Sequence, residues 1–247
     1  MTSSPLLEVR GVSKQFASLR ALDDIDLDVQ AATFHGLIGP NGSGKSTLLK
    51  AIAGAHFPDT GTVRFNGLDI TMATPYERAR AGMSLKFQIT AVLPLLSVYD
   101  NVLLALQAQQ SAWALLRSTT RRRLHDEVMT SLERFRLEDR ADDLAGELSH
   151  GEQQWLEITM ALAPKPRLLL LDEPTGGMSP EERRVTGELL APIKAECAVI
   201  IVEHDLDFIR DICDRLTVLD QGHVLGTGTV EEIQHSARVQ EVYTTRV

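Results

Sequence analysis

An α/β fold with a helical insert is predicted by three observations. Two short, continuously apolar runs, residues 168–171 and Ala198–Val202, read as strands buried on both faces, as in a parallel sheet. A helical stretch from about residue 180 to 196 lies between them and supplies the crossover that parallel neighbours require. Between about residues 90 and 160, apolar positions recur at helical spacing, so the helices there interrupt the core.

The first seventy residues alternate with period two: Leu7, Val9 and Val12, then Ile25, Leu27 and Val29, then Val63 and Phe65. Asn66-Gly67 follows as a hairpin turn. Phe34–Ile38 reads as a strand running into a glycine-rich loop, and residues 46–53 as a helix stopped by Gly54. In the insert, Val98, Val102, Leu103 and Leu106 share one helix face, and Leu124, Val128, Leu132 and Phe135 another. Ser149 caps a helix that reaches about Ala163.

Composition narrows the function classes. A chain of 247 residues with 43% hydrophobic and 24% charged residues can bury a sizeable core and is ordinary for a soluble protein. A net charge of -9 argues against a broad nucleic-acid-binding face, and the tight basic run Arg121-Arg122-Arg123 reads as a solvated helix face. Cys197 and Cys213 are too few for a disulfide framework or a zinc site. No apolar run approaches the ~20 residues that span a bilayer. The start, Met1-Thr2-Ser3-Ser4-Pro5, lacks the basic and apolar regions of a signal peptide. This reading predicts a cytosolic protein whose membrane role, if it has one, comes through a partner.

The chemistry lies in two linked segments. Gly39-Pro40-Asn41-Gly42-Ser43-Gly44-Lys45-Ser46, with Thr47 following, matches the P-loop pattern in full and lies between a strand and a helix. The glycines let backbone N–H groups turn inward around phosphate oxygens; Lys45 adds a point charge, and the Ser46 hydroxyl can hold Mg²⁺. The helix that follows aims its positive dipole end at the same phosphates. The run ending in Asp172-Glu173 delivers two carboxylates at a strand's carboxyl end, where open α/β sheets bind ligands. Asp172 is the candidate metal partner and Glu173 the candidate group that polarises an attacking water. Ser149 opens a further helix N-terminus, a second anion site, and His204 falls just after a buried strand.

Taken in order, the P-loop, Gln88, Leu148-Ser149-His150-Gly151-Glu152, Asp172-Glu173 and His204 resemble the ATP-binding cassette of ABC transporters. The resemblance covers nearly the whole chain and implies one ATP-binding domain over residues 1–247. It would comprise an N-terminal antiparallel β-subdomain, a RecA-like parallel-sheet core and a helical subdomain at about 90–160. It implies ATP and Mg²⁺ as ligands, with hydrolysis carried by Lys45, Glu173 and His204. Gln88 matches the glutamine that senses Mg²⁺, His204 the switch residue at the γ-phosphate, and Phe16 the aromatic that stacks on adenine. Ser149, His150, Gly151 and Glu152 would face the γ-phosphate held by an opposite cassette.

Two positions depart from the family pattern. His150 stands where glycine is commonest, and Ser179 where a loop aspartate is usual. A histidine beside Ser149 could make hydrolysis pH-sensitive between about pH 6 and 7.5.

The wording around Gln88, Ser149 and His204 resembles the branched-chain (hydrophobic) amino-acid uptake group, which also contains urea and short-amide importers. Membership implies two transmembrane permease subunits, a second cassette subunit (the same or different) and an extracytoplasmic solute-binding protein. It also places the chain on the cytoplasmic side of the membrane and involves no nucleic acid. Lipid or lipopolysaccharide export and non-transport ABC ATPases are the competing readings; the latter carry coiled coils, tandem cassettes or basic linkers that this sequence lacks.

Overall fold

A computed structural model describes residues 4–86, 92–108, 110 and 120–246. The N-terminal strands β1 (Leu7–Phe16) and β2 (Leu19–Val29) form an antiparallel sheet with β4 (Thr60–Phe65) and β5 (Leu68–Asp69), in the order β2-β1-β4-β5. The period-two residues of this sheet face inward and are buried. Asn66 and Gly67 both take positive φ, 52° and 78°, as a two-residue hairpin turn with the strands' own twist requires.

A second sheet has six strands, ordered β10-β9-β3-β8-β7-β6. These are β3 (Phe34–Ile38), β6 (Met83–Lys86), β7 (Leu168–Asp172), β8 (Ala198–Val202), β9 (Arg215–Asp220) and β10 (His223–Thr229). Its pairs run parallel except β9 with β10, a hairpin. Every residue of β3, β7 and β8 is buried, and alternate side chains enter two different cores. Leu168, Leu170 and Ile200 meet the antiparallel sheet and helix α1 (Lys45–Ala53). Leu169, Leu171 and Ile201 meet the helices of the opposite face.

Those helices are α3 (Val98–Gln107), α4 (Thr120–Arg123), α5 (His125–Glu133), α6 (His150–Leu162), α7 (Pro180–Leu190) and α8 (Leu206–Ile212), with α2 (Pro75–Arg80) preceding β6. The chain closes with α9 (Val230–Gln234) and α10 (Ala237–Arg246). α3, α4, α5 and α6 all fall between β6 and β7, where the helical pattern is read in the sequence. The helix expected over residues 180–196 ends earlier, at Leu190, and continues as a 3-10 turn, Ala191–Ala195. Pro192 lacks the N–H that an α-helix needs there, which accounts for the change.

Two buried polar groups fix the elements behind the P-loop. Arg78 is 1% exposed and donates to the carbonyls of Ala51 and Ile52, capping the C-terminal end of α1, and to those of Thr71 and Ala73. Burial pulls its guanidinium down to about 10. On β3, His35 Nε2 lies 2.8 Å from Thr217 Oγ1, which lies 2.9 Å from Thr227 Oγ1, so one polar chain ties β3, β9 and β10 together.

Candidate functional site

β3 ends in the loop 39–44, and the loop's conformation depends on glycine. Gly39 has φ +146°, and a Cβ there would lie 2.0 Å from the Leu219 carbonyl oxygen. Gly44, with φ +106°, caps α1, and a Cβ there would lie 2.6 Å from the Ala21 carbonyl oxygen. The loop walls a cleft of about 550 Å³ lined by Asn41, Gly42, Ser43, Gly44, Lys45, Ser46, Thr47 and Glu173, with Leu19 to Ala21 and Gln221 opposite.

Inside the cleft, the polar groups are set for an anion. Lys45 Nζ donates to the carbonyls of Gly39 at 2.8 Å and Pro40 at 3.0 Å, folding over its own loop. Burial lowers its pKa, and the carboxylates of Glu173 and Asp172 act in the opposite direction. Ser43 Oγ is buried and has no hydrogen-bond partner among the described residues. A buried hydroxyl left this way costs free energy, and a phosphate oxygen would satisfy it.

Next to the loop, β7 delivers Asp172, which is 3% exposed. Its Oδ1 accepts from Ser46 Oγ at 3.2 Å. Burial raises its pKa, the Ser46 hydrogen bond opposes that rise, and neighbouring Glu173 adds to it. A buried carboxylate beside a hydroxyl is the hard-oxygen pair that suits Mg²⁺, which keeps much of its shell for water and substrate phosphates. Among the described residues no group of three or more His, Cys, Asp or Glu could hold a metal by itself, so the fit is to a shared ion. Glu173 follows in the left-handed region, φ +49°, an unfavourable conformation for a residue with a Cβ. Its N–H donates to the Val202 carbonyl and its carboxylate lines the cleft.

Of the remaining expected residues, neither Phe16 nor His204 lines the cleft. Phe16 ends β1 and is 39% exposed; its ring meets His56 in a T-shaped contact, with Lys14 Nζ 5.6 Å from its centroid. Leu19 to Ala21, just beyond the turn after Phe16, make the cleft wall on that side. His204 follows β8, and its side chain is 66% exposed. Gln88 falls outside the described residues.

Ser149 caps α6: its Oγ accepts from the Glu152 N–H at 3.3 Å, while its own N–H donates to Glu152 Oε2 at 2.8 Å. Arg140 holds the other Glu152 oxygen. Ser149 and His150 are exposed, and none of residues 149–152 lines the cleft of Lys45. This helix N-terminus, of a kind suited to an anion, thus forms no part of the wall around Lys45. His150 Nε2 bonds the Gly176 carbonyl at 2.9 Å, linking α6 to the loop after β7. The Nε2–H makes this bond whether or not the ring is charged. Ser179 is the N-cap of α7 in a capping box with Glu182, a role that aspartate and serine both fill.

The sequence profile described as ABC transporter matches residues 22–176, more than half of the chain. The chain belongs to the ABC transporter family. Over 250 aligned residues the cassette is 32% identical to the high-affinity branched-chain amino acid transport ATP-binding protein LivG of Escherichia coli, covering 98% of both chains. Its fold is similar to the ADP conformation of MJ1267, an ATP-binding cassette of an ABC transporter, with a TM-score of 0.88 and 28% identity; 98% of this chain and 100% of that one are covered. It is also similar to MJ0796, a cassette seen as a dimer in a post-hydrolysis state with ADP and Pi, with a TM-score of 0.78 and 25% identity over 91% of this chain and 98% of that one.

Two further features of the cassette are absent from the sequence reading. Glu203, buried beside His204, accepts from the backbone and hydroxyl of Thr175. Lys86 and Glu157, both 2% exposed in their side chains, form an ion pair at 3.2 Å that joins β6 to α6. The Val202-Glu203-His204-Asp205 wording offers a signal for the first, since a charged residue directly after a buried strand calls for a partner.

Proposed function

We propose that the cassette is the ATP-hydrolysing subunit of an importer of branched-chain or other hydrophobic amino acids. It works at the cytoplasmic side of the membrane through two permease subunits, with a second cassette and an extracytoplasmic solute-binding protein. The observation that carries the ATPase reading is the cleft around Lys45: an unpartnered buried hydroxyl on Ser43, an ammonium on loop carbonyls, and a Ser46–Asp172 pair beside it. The transport reading leans on the likeness to LivG along almost the full length of both chains. Among the described residues no helix is long and apolar enough to cross a membrane, so a membrane path would belong to other subunits.

Lys45, Ser43 and backbone N–H groups of the loop bind the β and γ phosphates, with Phe16 against adenine. Ser46 and Asp172 would hold Mg²⁺, with Gln88 as a further partner, and the ion would supply neutralisation of phosphate charge. Glu173 orients and polarises the attacking water, and His204 contacts the γ-phosphate. Because residues 149–152 do not line this cleft, they serve an ATP held by Lys45 of an opposing cassette. ATP then bridges two chains, and its hydrolysis releases them.

Uptake assays in the native cell test the solute. Deleting the chain should abolish uptake of leucine, isoleucine and valine. Intact leucine uptake with lost urea or amide uptake would move the assignment to the short-amide branch, in keeping with the Ser149-His150-Gly151 stretch.

A further inference from the structure

Glu203 is a buried charged group that the proposed mechanism leaves unused. It follows β8 and precedes His204, and its side chain is fully buried. A carboxylate in that setting costs free energy unless its oxygens are satisfied. Oε1 accepts from the Thr175 N–H at 2.9 Å and its hydroxyl at 2.6 Å; Oε2 accepts from the His204 N–H at 3.2 Å. The same Oε2 lies 3.7 Å from Nδ1 of the His204 ring, which is otherwise largely exposed.

Thr175 lies in the loop that begins with Glu173. That loop is held by bonds from the Gly176 N–H to the Glu173 carbonyl and from the Met178 N–H to the Thr175 carbonyl. One buried carboxylate thus touches both the residue that would meet the γ-phosphate and the segment that carries the candidate base.

We propose that Glu203 is a positioning residue for hydrolysis: it turns Nδ1 of His204 inward, keeping Nε2 for phosphate, and pins the Glu173 loop through Thr175. The proposal rests on the reading of His204 as the γ-phosphate contact. A carboxylate facing one ring nitrogen fixes a proton there, so neutral His204 is the Nδ1–H tautomer. Free imidazole side chains lack that constraint.

The test uses the full chain and two readouts. In nitrogen-correlated NMR at alkaline pH, with His204→Gln assigning the signal, His204 should be Nδ1–H in the wild type and lose that preference in Glu203→Gln. An identical tautomer in both proteins overturns the proposal. In ATP hydrolysis, Glu203→Gln should lower kcat about 10- to 100-fold, the range typical of outer partners, with ATP affinity within about twofold. Added to His204→Gln, it should cost a smaller fraction than it does in the wild type, because the share that acts through His204 is already lost. An equal fractional loss in both backgrounds would mean a general structural role and overturn the proposal. A normal rate for His204→Gln alone would instead remove the γ-phosphate reading, a result the tautomer measurement does not share. Should Glu203→Gln fail to fold, Thr175→Val removes one hydroxyl donor, and the same non-additivity with His204→Gln is expected on a smaller loss.

Discussion

At the phosphate loop, Lys45 satisfies its ammonium on two carbonyls, while Ser43, two residues earlier, keeps a buried hydroxyl with no partner. The two groups differ in what nucleotide binding does for them: Lys45 exchanges partners, and Ser43 gains one. Replacing Ser43 by alanine should therefore act with opposite signs on two measurements. In chemical denaturation the nucleotide-free protein should be unchanged or more stable by about 1 kcal/mol, since an unsatisfied group is removed. In ATP titration, affinity should fall by roughly fivefold, the value of about 1 kcal/mol. His35 gives a separate prediction. Burial, with Arg215 adding to it, pushes its pKa from 6.5 down to about 4. Between those values the unfolded chain takes up a proton that the folded chain refuses, so stability is fully present above pH 6.5 and declines as pH falls toward 4. The linked loss is at most about 3 kcal/mol. Melting temperatures of His35→Gln should fall less between pH 7 and 5 than those of the wild type.

Among the elements, β6 and α6 are joined by the Lys86–Glu157 pair, buried on both sides. Removing either partner leaves a buried charge and should cost about 3–5 kcal/mol, while exchanging both for methionine should recover most of it. Denaturant midpoints of the two single variants and the double variant measure this. Neither residue announces the pair in the sequence, because they are 71 positions apart and each belongs to an ordinary amphipathic stretch. The same holds for β6 itself: Met83-Ser84-Leu85-Lys86 is short and mixed, and only pairing with β7 makes it a strand. The β9–β10 hairpin was likewise not read. By contrast β3, β7 and β8 were legible because burial on both faces demands continuous apolar runs. α1 was legible because a glycine-rich start and Gly54 bound it. The phosphate loop and Asp172-Glu173 could be read since their chemistry is contiguous. Glu203 with Thr175, Arg78 with α1, and His150 with Gly176 are contacts made across the fold, and tertiary packing decides them.

For the molecule as a whole, the functional reading turns on residues 149–152, none of which lines the Lys45 cleft. If the α6 N-terminus serves a nucleotide, as proposed, a second cassette would bring it to the ATP held at Lys45. Light scattering should show Glu173→Gln passing from monomer to dimer when Mg-ATP is added. A protein that binds ATP yet stays monomeric would point to a different cassette as its partner. Lys45 is expected to bind an ATP whose hydrolysis depends on Glu173. Equilibrium binding of γ-labelled Mg-ATP to Glu173→Gln, alone and combined with Lys45→Ala, decides this. Glu173→Gln should retain intact ATP, and adding Lys45→Ala should weaken binding by at least about tenfold, as loss of a charged phosphate contact should. Equal affinity in the two proteins, or phosphate release from Glu173→Gln at the wild-type rate, would contradict it.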